Sequence, residues 1–131
     1  MVDTTQEIEV IQTDKAAAPI GPYSQAIRAN GLIFVAGEKG IDPTTNAIVP
    51  GGIAAETRQT LENIRNILEE AGSSISRVVA TTVYLTDINT FSEMNGVYAE
   101  YFTSNPPGRT TVGVSSLPAG AQVEITVTAL A

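Results

Sequence analysis

The chain has 131 residues, 7 of them basic and 14 acidic, a formal net charge of −7, and no cysteine, histidine or tryptophan. Without cysteine there is no disulfide framework, thiol nucleophile or thiolate metal site, and without histidine no imidazole base and no histidine-ligated metal. Acid–base chemistry is left to Asp, Glu, Lys, Tyr, water and the backbone, and the acidic balance opposes binding to nucleic acid.

An apolar fraction of 43% with 16% charged residues fits an ordinary soluble globular protein. The length predicts one domain over residues 1–131. No apolar run approaches the roughly 20 residues that a bilayer core requires. The opening MVDTTQEIEV has neither the layout of a signal peptide nor the arginine content of a transit peptide. A cytoplasmic protein is therefore expected.

Loose alternation over Glu7 to Thr13, with Ile8, Val10 and Gln12 on one side, predicts an opening strand. Pro19, Gly21 and Pro22 then break regularity. Ala26 to Ala29 and Leu32 to Ala36 flank Asn30-Gly31, the dipeptide that best tolerates the positive φ angles of a tight hairpin. A polar loop with Asp42, Pro43, Asn46 and Pro50 follows. From Ile53 to Ala71 the pattern is helical, with Ile53, Thr57, Leu61, Ile64, Leu68 and Ala71 recurring at steps of three and four and Gly72 just past the end. Arg58, Glu62 and Arg65 are spaced for ion pairs on its surface.

Val78 to Leu85 is rich in β-branched residues and reads as an inner strand. A second helix follows, with Thr90 and Glu93 spaced as a capping box, a stripe of Phe91, Met94, Tyr98, Tyr101 and Phe102, and Pro106-Pro107 as its stop. Thr110 to Ser115 and Gln122 to Leu130 are predicted strands joined through Leu117 to Gly120. In the last, Val123, Ile125, Val127 and Ala129 alternate strictly with Gln122, Glu124, Thr126 and Thr128. The order predicts an α+β fold, a mixed sheet with two helices packed on one face. The other face is either wet or packed against another subunit.

Arg109, directly after Pro106-Pro107-Gly108, is the basic residue sited most like a carboxylate clamp; the alternative is a surface arginine. Glu124 is an acid in mid-strand, either solvated or, on a covered face, poised for proton transfer. In a simple hairpin centred near Pro118-Ala119 the two would lie about 13 Å apart. Either the connection is not a simple hairpin, or the partner group comes from another subunit. Tyr23 is a pocket wall or a cap on the core, and Asn95 orients a loop or is solvated. Ala36-Gly37-Glu38-Lys39-Gly40 lacks the spacing of a nucleotide-binding loop.

Together GPYSQA at Gly21–Ala26, NILEEAG at Asn66–Gly72, VVATTVYLTDINTF at Val78–Phe91, NGVYAEYF at Asn95–Phe102, PPGRTTV at Pro106–Val112 and LPAGAQVEITVTA at Leu117–Ala129 resemble the RidA (YjgF/YER057c/UK114) family. The match is in order and spans nearly the whole chain. The resemblance implies a chorismate-mutase-like fold and a homotrimer with sites in clefts between subunits. It implies hydrolysis of 2-imino acids and enamines, released by pyridoxal-phosphate dehydratases, to 2-keto acids and ammonia. It places carboxylate binding on Arg109, acid–base work on Glu124 and pocket roles on Tyr23, Asn95 and the Gly37 backbone. No cofactor or metal is expected, because an imine carbon is already activated by its nitrogen.

Two departures stand out. The usual Ser-Gly-Gln is Ala36-Gly37-Glu38, followed by Lys39, which removes a pocket hydroxyl and adds a charge pair. The cysteine common two positions after the arginine is Thr111, expected to line the pocket. Two rival functions are a non-catalytic trimer that binds small carboxylates or holds client proteins, and nucleic-acid cleavage. The charge and the missing imidazole oppose the second.

Overall fold

In a computed structural model, which describes residues 7–131, the chain turns back at Asn30 and Gly31 with φ of 51° and 77°. Both values lie in the left-handed region that asparagine and glycine reach at least cost. The turn joins strand β2 (Ala26–Ala29) to β3 (Leu32–Lys39), as the sequence predicts. Residues 1–6, part of the opening stretch read for targeting signals, lie outside the described residues. The opening strand β1 is shorter than expected, Glu9–Ile11, and pairs with β2. Its apolar spacing misleads: Ile8 and Val10 are 68% and 59% exposed, whereas Ile11 between them and the loop is 4% exposed and joins the core.

Helix α1 (Gly52–Glu70) buries every residue of its predicted stripe. It closes at Gly72, φ 81°, where the Ser73 N–H donates to Leu68 O at 2.8 Å. The same helix buries polar groups that bind strands. Asn63 Nδ2 donates to Lys39 O at 3.2 Å and Ile41 O at 2.9 Å, and Glu56 Oε1 accepts from Gln122 N–H at 2.8 Å. Gly40 lies so close that an added Cβ would come within 2.7 Å of Glu56 Cα. The helix thereby fixes the end of β3 and the approach to the last strand. Of the expected surface pairs, Arg65 meets Glu62 at 3.0 Å, but Arg58 reaches across to Glu100 of the second helix through two bonds of 2.9 and 3.1 Å.

Strand β4 (Val78–Leu85), helix α2 (Phe91–Tyr101) and strand β5 (Gly108–Gly113) form a parallel crossover unit. The capping box does not form. Thr90 ends a short 3₁₀ turn over Ile88–Thr90, and its hydroxyl donates back to Asp87 O at 2.7 Å. Asp87 caps that turn instead, its carboxylate accepting from the Asn89 N–H at 3.0 Å. Met94, Val97, Tyr98 and Phe102 are buried, while Phe91 stays partly exposed.

Strand β6 (Val123–Leu130) does not pair with β5. The sheet order is β1-β2-β3-β6-β4-β5, antiparallel throughout except between β4 and β5. The crossover through α2 sends β5 to the sheet edge. β6, with the purely apolar inward set Val123, Ile125, Val127 and Ala129, takes a central slot. Those residues, with Ile33, Val35, Val83 and Leu85, pack against Leu61, Ile64, Leu68 and Met94 of the helices. Two helices on one face of a mixed sheet match the predicted class. The opposite face leaves Val10, Phe34, Val112 and Leu130 exposed, more apolar surface than the polar side of β6 alone indicates. Among the described residues no helix is long and apolar enough to cross a membrane.

Candidate functional site

A bulge in β3 builds the first half of the site. Val35 opposes Val127 and Glu38 opposes Ile125, so Ala36 and Gly37 together face one residue of β6. The extra residue reverses the alternation. Glu38 turns in toward the helices, and Lys39 lines up with Glu124 on the open face. Glycine at position 37 leaves room for the Glu124 carboxylate, which an added Cβ would push aside. Lys39 Nζ donates to Gly37 O at 3.0 Å and stands 3.6 Å from Glu124 Oε1. The expected charge pair of Glu38 with Lys39 is thus corrected: Lys39 pairs with Glu124.

Ile20, Tyr23, Ala36 and Pro118 complete a cavity of about 250 Å³ around Gly37, Lys39 and Glu124. Tyr23 is held on its loop by the Ile20 N–H, which donates to the phenol oxygen at 3.1 Å. Gln25 anchors that loop from below. It accepts from the Thr13 N–H at 2.8 Å and donates to Thr13 O at 3.0 Å and Ala17 O at 2.9 Å. Glu38, 4% exposed with Oε1 unpartnered, has its pKa pushed up to about 8. Burial is the main cause, opposed by the Lys39 charge and reinforced by that of Glu124. Near neutral pH Glu38 is therefore mostly an uncharged acid.

Arg109 opens the second half. It lies beside Thr81 on the helix-bearing face, and its guanidinium sits 4.7 Å above the Tyr98 ring and 5.4 Å from that of Phe91. Tyr98 is itself fixed, its hydroxyl 2.8 Å from Thr81 Oγ1. Burial raises the Tyr98 pKa, against the Thr81 hydrogen bond and the Arg109 charge, so it stays a neutral phenol. Among the described residues Arg109 makes no ion pair. Asn95 lies on the helix face that carries Phe91 and Tyr98, and Thr111 is two residues beyond Arg109 on the same strand face. Asn95 Oδ1 and Thr111 Oγ1 are buried without partners.

The structure therefore groups the expected residues three and three: Tyr23, Gly37 and Glu124, then Arg109, Asn95 and Thr111. It does not bring the groups together in one chain. Arg109 is level with Thr81 of β4, and Glu124 with Tyr84 of the same strand. They are two strands apart, about 10 Å further along the strand direction, and on opposite faces. The simple hairpin is excluded. A larger hollow of about 320 Å³ beside Arg65, Tyr101 and Asn105 contains none of these groups.

A family model described as Endoribonuclease L-PSP matches residues 13–131. A conserved Rid-family protein, YyfA of Yersinia pestis, superposes with a TM-score of 0.92 at 44% identity over 95% of this chain and 100% of its own. The chain belongs to the RidA family. A relative in Pyrococcus abyssi, named a RutC family protein, is 54% identical over 89% of this chain and 92% of its own. A relative in Bos taurus, named 2-iminobutanoate/2-iminopropanoate deaminase, is 48% identical over 89% of this chain and 85% of its own. The matched span, residues 13–131, includes the bulged strand, the crossover unit and both half-sites.

Proposed function

We propose that this protein hydrolyses reactive 2-imino acids, 2-iminopropanoate and 2-iminobutanoate, and their enamine tautomers to 2-keto acids and ammonia. The sites would form between chains of a homotrimer, each chain a single domain over residues 1–131. One observation carries the reading. The guanidinium and the carboxylate occupy half-sites on opposite faces of the sheet, one with unpartnered Asn95 and Thr111 atoms and the other an open cavity. A neighbouring chain would complete each. The exposed apolar face offers the surface on which chains would meet. The deaminase name of mammalian relatives at 44–48% identity supports the chemistry.

In this account Arg109 receives the α-carboxylate of the imino acid through paired N–H donors, its plane set by the rings of Tyr98 and Phe91. Glu124 of the adjoining chain orients a water against the imine carbon and takes its proton as the C–O bond forms. It returns that proton to nitrogen to give a carbinolamine. The carbinol hydroxyl then passes its own proton through Glu124 to the amine as the C=O bond forms and the C–N bond breaks, releasing ammonia and the 2-keto acid. The C=N carbon supplies the electrophile, so a carboxylate, a guanidinium and water suffice. The name of the family model points to RNA cleavage, but a net charge of −7 per chain and the lack of histidine disfavour it.

The test couples the purified protein to a pyridoxal-phosphate dehydratase acting on serine. Added protein is expected to shorten the lifetime of the imine, with ammonia and pyruvate released in equal amounts, and to sediment as three protomers. A trimer that binds pyruvate without accelerating hydrolysis would instead support the non-catalytic carboxylate-binding module.

A further inference from the structure

We propose that Lys39 is a positioning residue that holds the Glu124 carboxylate in a single orientation and balances its charge, so that the pocket takes 2-imino acids with neutral side chains. This rests on the imine-hydrolysis reading. The Lys39 side chain is 7% exposed, yet it lies in the wall of the cavity that contains Glu124 and Tyr23. Its Nζ is tied down by Gly37 O at 3.0 Å. That bond comes from the bulge, which also places Gly37 against Glu124 Oε2. The carboxylate thus lies with Oε2 in the space that a side chain at position 37 would fill and with Oε1 facing the ammonium at 3.6 Å.

Charge counting points the same way. A buried ammonium is costly unless an anion faces it. Glu124 is that anion, and the neighbouring Glu38 is mostly uncharged near neutral pH. Lys39 and Glu124 then cancel, and Arg109, which makes no ion pair among the described residues, is the cation left for the substrate's α-carboxylate. A second carboxylate on the substrate would meet Glu124 with no spare cation. An uncharged side chain finds Ile20, Ala36 and Pro118.

The role separates orientation from binding, and steady-state kinetics can read the split. Lys39→Met, Lys39→Gln and Lys39→Arg are compared with wild type on 2-iminopropanoate generated in place, with pyruvate binding and melting temperature measured alongside. Lys39→Met is expected to lower kcat by about 10–100-fold, with KM and the pyruvate Kd within about 2-fold of wild type, as for a misplaced group that does not hold the ligand. Lys39→Gln, which keeps a donor for Gly37 O but no charge, should stay low even if the methionine variant folds poorly. Lys39→Arg should recover most of kcat. An unchanged kcat in both the methionine and glutamine variants overturns the proposal. So does a rise in KM and pyruvate Kd at unchanged kcat, because Lys39 would then grip the ligand itself. An inactive wild type overturns the imine-hydrolysis reading and this proposal together, whereas active wild type with unaffected variants overturns this one alone.

Discussion

Arg109→Lys is expected to lower kcat/KM for 2-iminopropanoate by about 100-fold or more, the loss corresponding to a paired, charge-assisted contact. Lysine keeps the positive charge, so the substitution isolates geometry. The guanidinium carbon lies 4.7 Å from the centre of the Tyr98 ring and 5.4 Å from that of Phe91, and these two contacts hold a planar fork of N–H donors in place. An ammonium has no plane to stack and offers one point of contact where the carboxylate needs two. The pyruvate Kd should rise with the loss of activity, and the melting temperature should stay close to that of wild type because Arg109 forms no ion pair among the described residues. Hydrolysis near the wild-type rate would show that the clamp lies elsewhere.

Glu38→Gln should produce the largest change in stability, and one that depends on pH. In the folded chain the Glu38 pKa is about 8 against an ordinary value of 4.5, mainly through burial. Below pH 4.5 the carboxyl is protonated in both folded and unfolded chains and contributes no slope. Between pH 4.5 and 8 only the unfolded chain releases the proton, so wild-type stability falls across this window and levels off above it. Glutamine, usual at this position in the family, binds no proton and lacks that decline. The variant should be more stable than wild type by on the order of 3 kcal/mol at pH 8, and the gap should close toward pH 4.5. Urea unfolding at fixed protomer concentration across this range measures it. Parallel stability curves for the two proteins would contradict the assignment.

The sequence reveals what depends on local periodicity. The stripe of α1, the Asn30-Gly31 turn and the strict alternation of β6 each report which side of an element is buried, because solvent and core select different residues at fixed intervals. Alternation does not report which strand lies alongside, so the sequence leaves open whether β6 and β5 form a hairpin. Their separation follows from the crossover through α2, a contact between distant residues. The capping box failed for a related reason: a 3₁₀ turn ahead of α2 draws the Thr90 hydroxyl back to Asp87. At the candidate site the sequence singles out Arg109, Glu124, Tyr23, Gly37, Asn95 and Thr111 and raises a group from another subunit as one of two options, but not which of these residues share a face. The bulge at Ala36-Gly37 shifts Lys39 to the Glu124 side and Glu38 to the core, an inversion of simple alternation. Its one visible signal was a pair of charges in an otherwise apolar strand. The stacking of Phe91 and Tyr98 on Arg109 was hidden for another reason, since both aromatics fitted the core stripe of α2.

The proposed assembly requires each active site to take Arg109 from one chain and Glu124 from another. Arg109→Ala and Glu124→Gln proteins, each inactive alone, can be unfolded together in equal amounts, refolded and assayed on 2-iminopropanoate. Random mixing leaves about one junction in four with both groups intact, so activity should return to about a quarter of wild type. A mixture as inactive as its parents, although shown by mass to contain mixed trimers, would contradict a site shared between chains.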